Sequence, residues 1–141
     1  MPDSDIEARL IALHGLIDGA VTGGAARNIV VPQEIPAAGL VILRDGAPVL
    51  VDVTMPRHYH LDHAVDLEIY AQAASGREAI TDARRQEIGA AIEADRTLGG
   101  LCDWVEAIPV ETDDQRVEGG LAIRIDLIRV TLSYATQNPL T

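Results

Sequence analysis

Apolar positions along the chain fall into two rhythms. In "SDIEARLIALHGLIDGAV", Ser4 to Val21, the residues Ile6, Leu10, Leu13 and Ile17 return after four, three and four positions. That spacing predicts a helix with one apolar stripe. Ser4 and Glu7 have the spacing of a capping box, and Gly19 with Thr22-Gly23-Gly24 marks a stop. A second helix is predicted in "SGREAITDARRQEIGAAIEADRTLGG", with Ile80, Ala83, Ile88, Ala91 and Ile92 on its apolar face. Ser75 and Glu78 repeat the capping-box spacing, and Gly99-Gly100 offers a left-handed stop. From Leu61 the rhythm changes to two. Leu61, His63, Val65, Leu67, Ile69 and Ala71 face one way; Asp62, Asp66, Glu68 and Tyr70 face the other. This is the pattern of a half-buried strand.

Shorter runs supply the remaining strands. "NIVV" precedes Pro32, and "GLVIL" (39–43) and "PVLVDVT" (48–54) flank "RDGAP". Asp45-Gly46 between β-branched runs predicts a hairpin turn. "LCDWVEAIPV" reads as a strand, "ETDDQRVEGG" as an acidic connection, and "LAIRIDLIRVTLSYAT" as a long final strand. In that last run Ile123, Ile125 and Leu127 are odd-numbered, whereas Ile128, Val130, Leu132 and Tyr134 are even. A one-residue shift exchanges the faces, so the expectation is a β-bulge near Leu127–Ile128 or a strand crossing between environments. The order of elements predicts an α+β fold: one domain over 1–141, its ordered core about 4–136. The sheet is mostly antiparallel (mixed), with both helices packed on one face.

Composition narrows the classes of function. The chain is 141 residues long, 48% hydrophobic, without Phe, and with one Trp and three Tyr, so its core is aliphatic. No apolar run approaches the ~20 residues that span a bilayer, and no basic segment precedes an apolar one at the start, so neither a membrane span nor a secretory leader is expected. Cys102 is alone and is expected to act as a small buried hydrophobe in a reducing cytoplasm. The net charge is −11, and all 11 basic residues are Arg. Such an acid excess disfavours tight, non-specific nucleic-acid binding, which needs cations to replace phosphate counterions. The excess either keeps a small protein soluble or repels a passing polyanion.

One motif carries candidate chemistry. "RHYHLDH", Arg57 to His63, resembles the zinc-binding signature of the metallo-β-lactamase superfamily, which implies a small metal-dependent hydrolase using His58, His60, Asp62 and His63. Zinc requires three or four ligands converging at ~2–2.3 Å. Period two from Leu61 sends His63 and Asp62 to opposite faces, and no His follows His63 to complete a site. The expectation is therefore no metal cluster and no cofactor, with at most a weak surface pair from His58 and His60. No G-x-S-x-G elbow, Walker loop or G-x-G-x-x-G is present. The reading is of a protein that is not an enzyme.

The helix exit "DRTLGGL", Asp95 to Leu101, leads into a strand, and the last strand ends in "VTLSYAT". Taken with the order of elements, this resembles the tail terminator proteins of long-tailed bacteriophages and phage-like gene transfer agents, over roughly residues 4–136. The segment 22–58 is longer than a minimal family member needs. The resemblance implies a structural virion protein, a tail terminator, with another neck or tail-tube component as the alternative in the same class. It would form a ring, commonly a homohexamer, on the head-proximal end of the tail tube, end tube polymerisation and offer the joining surface for the head connector. The implied partners are further copies of the chain, the major tail tube protein, the head–tail connector, and DNA passing through the lumen without specific binding. The implied place is the tail of a virion or phage-like particle, after assembly in the host cytoplasm. The family brings no catalytic residues. The dense acids at 103–118, six against Arg116, stand as solvated loop charge or as lumen and rim contacts, with Glu111, Asp113, Asp114 and Glu118 as candidates for the latter.

Overall fold

The first apolar stripe folds as expected. In the computed structural model, which describes residues 2–30 and 34–141, helix α1 spans Asp5–Ala20. The Ser4 hydroxyl accepts from the Glu7 amide at 3.2 Å, satisfying one orphan donor of the first turn. Leu10, Leu13 and Ile17 are buried. Among the described residues, five strands follow in one mixed sheet. They are β1 (Ala25–Arg27), β2 (Leu40–Thr54), β3 (His58–Gln72), β4 (Trp104–Gln115) and β5 (Ile123–Thr136), with helix α2 (Arg77–Ala94) between β3 and β4. The spatial order is β1-β2-β3-β5-β4. Only β1 runs parallel to its neighbour; the other pairs are antiparallel.

Both helices cover the same face of this sheet. Leu10, Leu13, Ile17, Ile88 and Ile92 join Val41, Leu43, Leu61, Val65, Leu67, Ile69, Ile128, Val130 and Leu132 in one buried cluster. The single-domain α+β layout read from the sequence is the observed one, and the alternation in β3 holds residue for residue from Leu61 to Ala71. Each fully buried aliphatic side chain in such a cluster contributes about 1.5–3 kcal/mol.

Several local expectations give way to tertiary context. Asp45-Gly46 makes no hairpin turn. β2 continues through it, and the register with β3 shifts between Arg44 and Ala47. Gly46 has φ +62°, and a Cβ there would stand 2.0 Å from the Ala64 carbonyl oxygen. The dipeptide's tolerance of positive φ is thus used for a bulge, because β3 is long enough to pair with both halves of β2. The reversal occurs instead at Met55–Arg57.

Ser75 does not cap α2. Gly76 occupies the N-cap position with φ +76°, and it offers no side-chain cap to the first-turn amides. The helix also ends at Ala94, before Gly99-Gly100. Asp95 Oδ1 then accepts from the Gly99 amide at 3.1 Å, and Leu98, Gly99 and Gly100 all have positive φ. That local bond offers the backbone an alternative to another helical turn. Of the predicted apolar face, Ile88, Ala91 and Ile92 are buried, while Ile80 and Ala83 are half-buried.

The final strand is unbulged. β5 pairs with β3 continuously from Ile123 to Thr136. The extra residue lies on its other neighbour, β4, between Pro109 and Glu111. The change of phase in β5 is therefore two apolar rows on two faces: the even row meets the helices, and Ile123, Ile125 and Leu127 lie on the opposite face. The acidic stretch is mostly not a connection, since β4 runs on to Gln115. "NIVV" forms no strand over residues 28–30; Val31 and Pro32 lie outside the described residues.

Candidate functional site

The histidine motif lies on β3, where the pleat separates its members. His63 is 1% exposed on the helix-covered face, and its Nε2 is 2.6 Å from the Asp45 carbonyl oxygen. His58, His60 and Asp62 lie on the opposite face, each already engaged. His58 Nδ1 is 2.9 Å from the Pro56 carbonyl oxygen, and His60 Nε2 is 2.9 Å from Thr54 Oγ1. Asp62 Oδ1 accepts from Ser133 Oγ at 2.8 Å. Among the described residues no group of three or more His, Cys, Asp or Glu is placed to hold a metal ion. The four-ligand hydrolase geometry is excluded by the pleat, because His63 projects away from its three supposed partners. His63 instead fastens β3 to the bulge at Asp45-Gly46.

Cys102 is 5% exposed, and burial pushes its thiol up to about 11. A thiol this protonated at neutral pH is a poor nucleophile. Beside it Tyr134 is buried under the Arg9 guanidinium, 4.2 Å from the ring centroid. No helix among the described residues is long and apolar enough to cross a membrane.

Two surfaces stand out. The first is an apolar edge. β1 pairs only with Val41–Leu43, so the outer half of β2, Ala47–Thr54, has β3 on one side and no strand on the other among the described residues. Its residues are exposed on both faces: Val49 63%, Leu50 55%, Val51 59% and Val53 41%, with Met55 at 84% in the turn beyond. Leu50 and Val53 pair with Leu61 and Tyr59, which places them on the helix side of the sheet. Neither helix reaches over them. The sequence pattern of this run, "PVLVDVT", predicts only an ordinary strand. Its signal was apolar residues of both parities, which reads as a strand buried on both faces.

The second surface is the helix-free face of the sheet, which is acidic. Directly opposed strand partners share a face. This row therefore contains Asp52 on β2, Asp62, Asp66 and Glu68 on β3, and Glu106, Glu111 and Asp113 on β4. Against them stand Arg44 and Arg129, which pair with Glu68 and Asp66 at 3.0 and 3.2 Å. Glu106 accepts from Trp104 Nε1 at 2.9 Å, and this bond, with the neighbouring Arg96, holds its carboxyl below the usual range. Glu111 and Asp113 border a shallow hollow with Ile125 and Leu127. Asp114 is on the other face, 3.9 Å from both Arg77 and Arg124, and Glu118 is in the β4–β5 turn. The four acids singled out in the sequence thus do not face one direction.

One carboxylate escaped the sequence reading altogether. Asp126, 2% exposed, lies in the even row of β5 beside Arg85 and Arg124, at 3.3 and 3.2 Å. Its parity with Ile128 and Val130 was the available signal.

No family model matches this chain, and no curated protein matches it. Among solved structures it is similar to a chain of one described as "Virion of native gene transfer agent (GTA) particle". The likeness has 18% identity, covers 91% of this chain and 90% of that one, and has a TM-score of 0.32.

Proposed function

We propose that this chain is a structural subunit of a tail-like particle: a tail terminator that forms a ring on the head-proximal end of the tail tube. The observation that carries this reading is the apolar edge at 49–55. Monomeric soluble proteins rarely expose a run of large aliphatic side chains, and one left open on a sheet edge invites aggregation unless a partner covers it. An assembly subunit has such a partner. The acidic, helix-free face supports the same reading, because a channel lined with carboxylates repels DNA phosphates and lets the polymer pass. Glu111 and Asp113 belong to that face; Asp114 and Glu118 fit the rim.

The major tail tube protein and the head connector are the proposed partners above and below the ring. Native mass spectrometry of the purified 15.1 kDa chain tests the ring directly. The expected species is a closed oligomer, six copies by the resemblance. An open-ended distribution of sizes would contradict a terminator ring.

A further inference from the structure

The chain carries, at the opposite end of its sheet, a hollow suited to its own apolar edge. Between α2 and β4 lies a cavity of about 90 Å³, lined by Ile88, Gly89, Ala107, Ile108, Pro109 and Ile128, with Arg85 at its border. Its lining is nearly all apolar, and Gly89 of α2, one of its lining residues, is exposed. It opens on the helix side of the sheet, beside the β4 edge. Leu50 and Val53 lie on the helix side of the sheet at the β2 edge. If two copies meet edge to edge with their helices on the same side, Leu50 and Val53 of one pass beneath α2 of the next.

Charge distinguishes the pairing in the same sense. Residues 103–118 hold six acids and one Arg, so two such edges repel each other. The β2 edge and the turn beyond it, Ala47 to Arg57, hold one acid, Asp52, and one Arg, Arg57. Arg57 has no acidic partner among the described residues; it stands only over the Tyr59 ring at 5.9 Å. In a chain of net charge −11, this is the edge able to approach the acidic one. Pro48 and Pro109, with the bulges at Val51 and Val110, interrupt the ladder on both edges. Contact through side chains therefore fits better than a continuous ladder.

We infer that Leu50 and Val53 of one copy pack into the α2–β4 hollow of the next, with Arg57 against its neighbour's acidic edge. The contact joins two different surfaces, so it propagates head to tail and closes into a ring when the rotation per copy allows. The inference rests on the ring reading above and names the contact that would build it.

Two variants test it. Leu50→Asp with Val53→Asp disables the edge, and Gly89→Asp, on the α2 wall, disables the hollow; all three positions are solvent-exposed, a Cβ at Gly89 meets nothing within 4 Å, and unchanged thermal unfolding confirms that each variant folds. Sedimentation velocity then reads assembly. Wild type is expected to oligomerise and each variant alone to stay monomeric. An equimolar mixture is expected to stop at dimers, because one good edge and one good hollow remain. Wild type that stays monomeric at every concentration overturns the contact. So does a mixture that stays monomeric, or a variant that assembles like wild type; if wild type still forms closed rings in the last case, the ring reading survives. An edge variant that keeps its ring but no longer binds tubes assigns the edge to the tube protein and overturns the inference. Dimers or open filaments of wild type that depend on these residues uphold the contact and sink the ring.

Discussion

Single residues decide where the chain bends and where chemistry is absent. Gly46 has positive φ and a carbonyl where a Cβ would go. Gly46→Ala combines left-handed strain with a backbone clash, for an expected loss of about 2–4 kcal/mol in denaturant unfolding. A loss under about 0.5 kcal/mol would contradict the bulge. His63 and its two upstream neighbours separate in the same way. Replacing His58 and His60 by Asn is expected to shift the unfolding midpoint little, whereas His63→Ala removes a buried bond to the Asp45 carbonyl at a cost of about 1–3 kcal/mol. Equal losses at all three positions, or zinc bound with one-to-one stoichiometry and abolished by any of the three changes, would restore the metal reading. Alternation alone was enough to read this from the sequence. The use of Asp45-Gly46 was not, because a turn dipeptide looks the same in a hairpin and in a bulge; only the length of the facing strand decides.

At the level of elements, one guanidinium ties three of them together. Arg27 on β1 meets Glu7 of α1 at 2.6 Å and Asp45 of β2 at 2.8 Å. Its hydrogen bonds are the largest influence on both carboxyls and hold them below their ordinary values. A carboxyl whose pKa is lower folded than unfolded stabilises the fold above its unfolded value. That contribution fades as pH falls through the depressed folded value. Arg27→Gln is therefore expected to lower the melting temperature at pH 7, with the gap to wild type closing as pH falls below the ordinary carboxylate range and through the depressed folded values. A gap independent of pH would assign the loss to packing of the Arg stem. The helices, β3 and the extent of β5 were legible because their apolar patterns are long; β2 was split in two by the turn-like Asp45-Gly46. β1 was not, being three residues whose pairing depends on this ion cluster rather than on any pattern. The reach of β4 into the acidic stretch was hidden as well. "ETDDQ" has the composition of a loop, yet it is held in the sheet by pairing along β5 from Ile123 to Leu127.

The whole molecule is a one-sided layer: helices and core on one face, carboxylates on the other, and an uncovered apolar edge. Net charge was legible in the sequence, but its distribution was not, since Asp113 and Asp114 are adjacent in the chain and opposite in the sheet. The distinction gives a sharper expectation than reversing both. Asp113→Arg changes the helix-free face and is expected to slow DNA release from assembled particles, more at low salt where screening is weak. Asp114→Arg, on the other face, is expected to leave release unchanged. Equal release rates for the two variants at every ionic strength would remove the helix-free face from the channel. The proposed terminator ends a growing tube. Its most direct test is the length of tubes polymerised from the major tail tube protein with and without the chain, measured by electron microscopy. Added protein is expected to stop growth and leave a ring at one end, and the apolar-edge variant to do neither. Tubes of the same length distribution in its presence and absence, with bare ends, would contradict this.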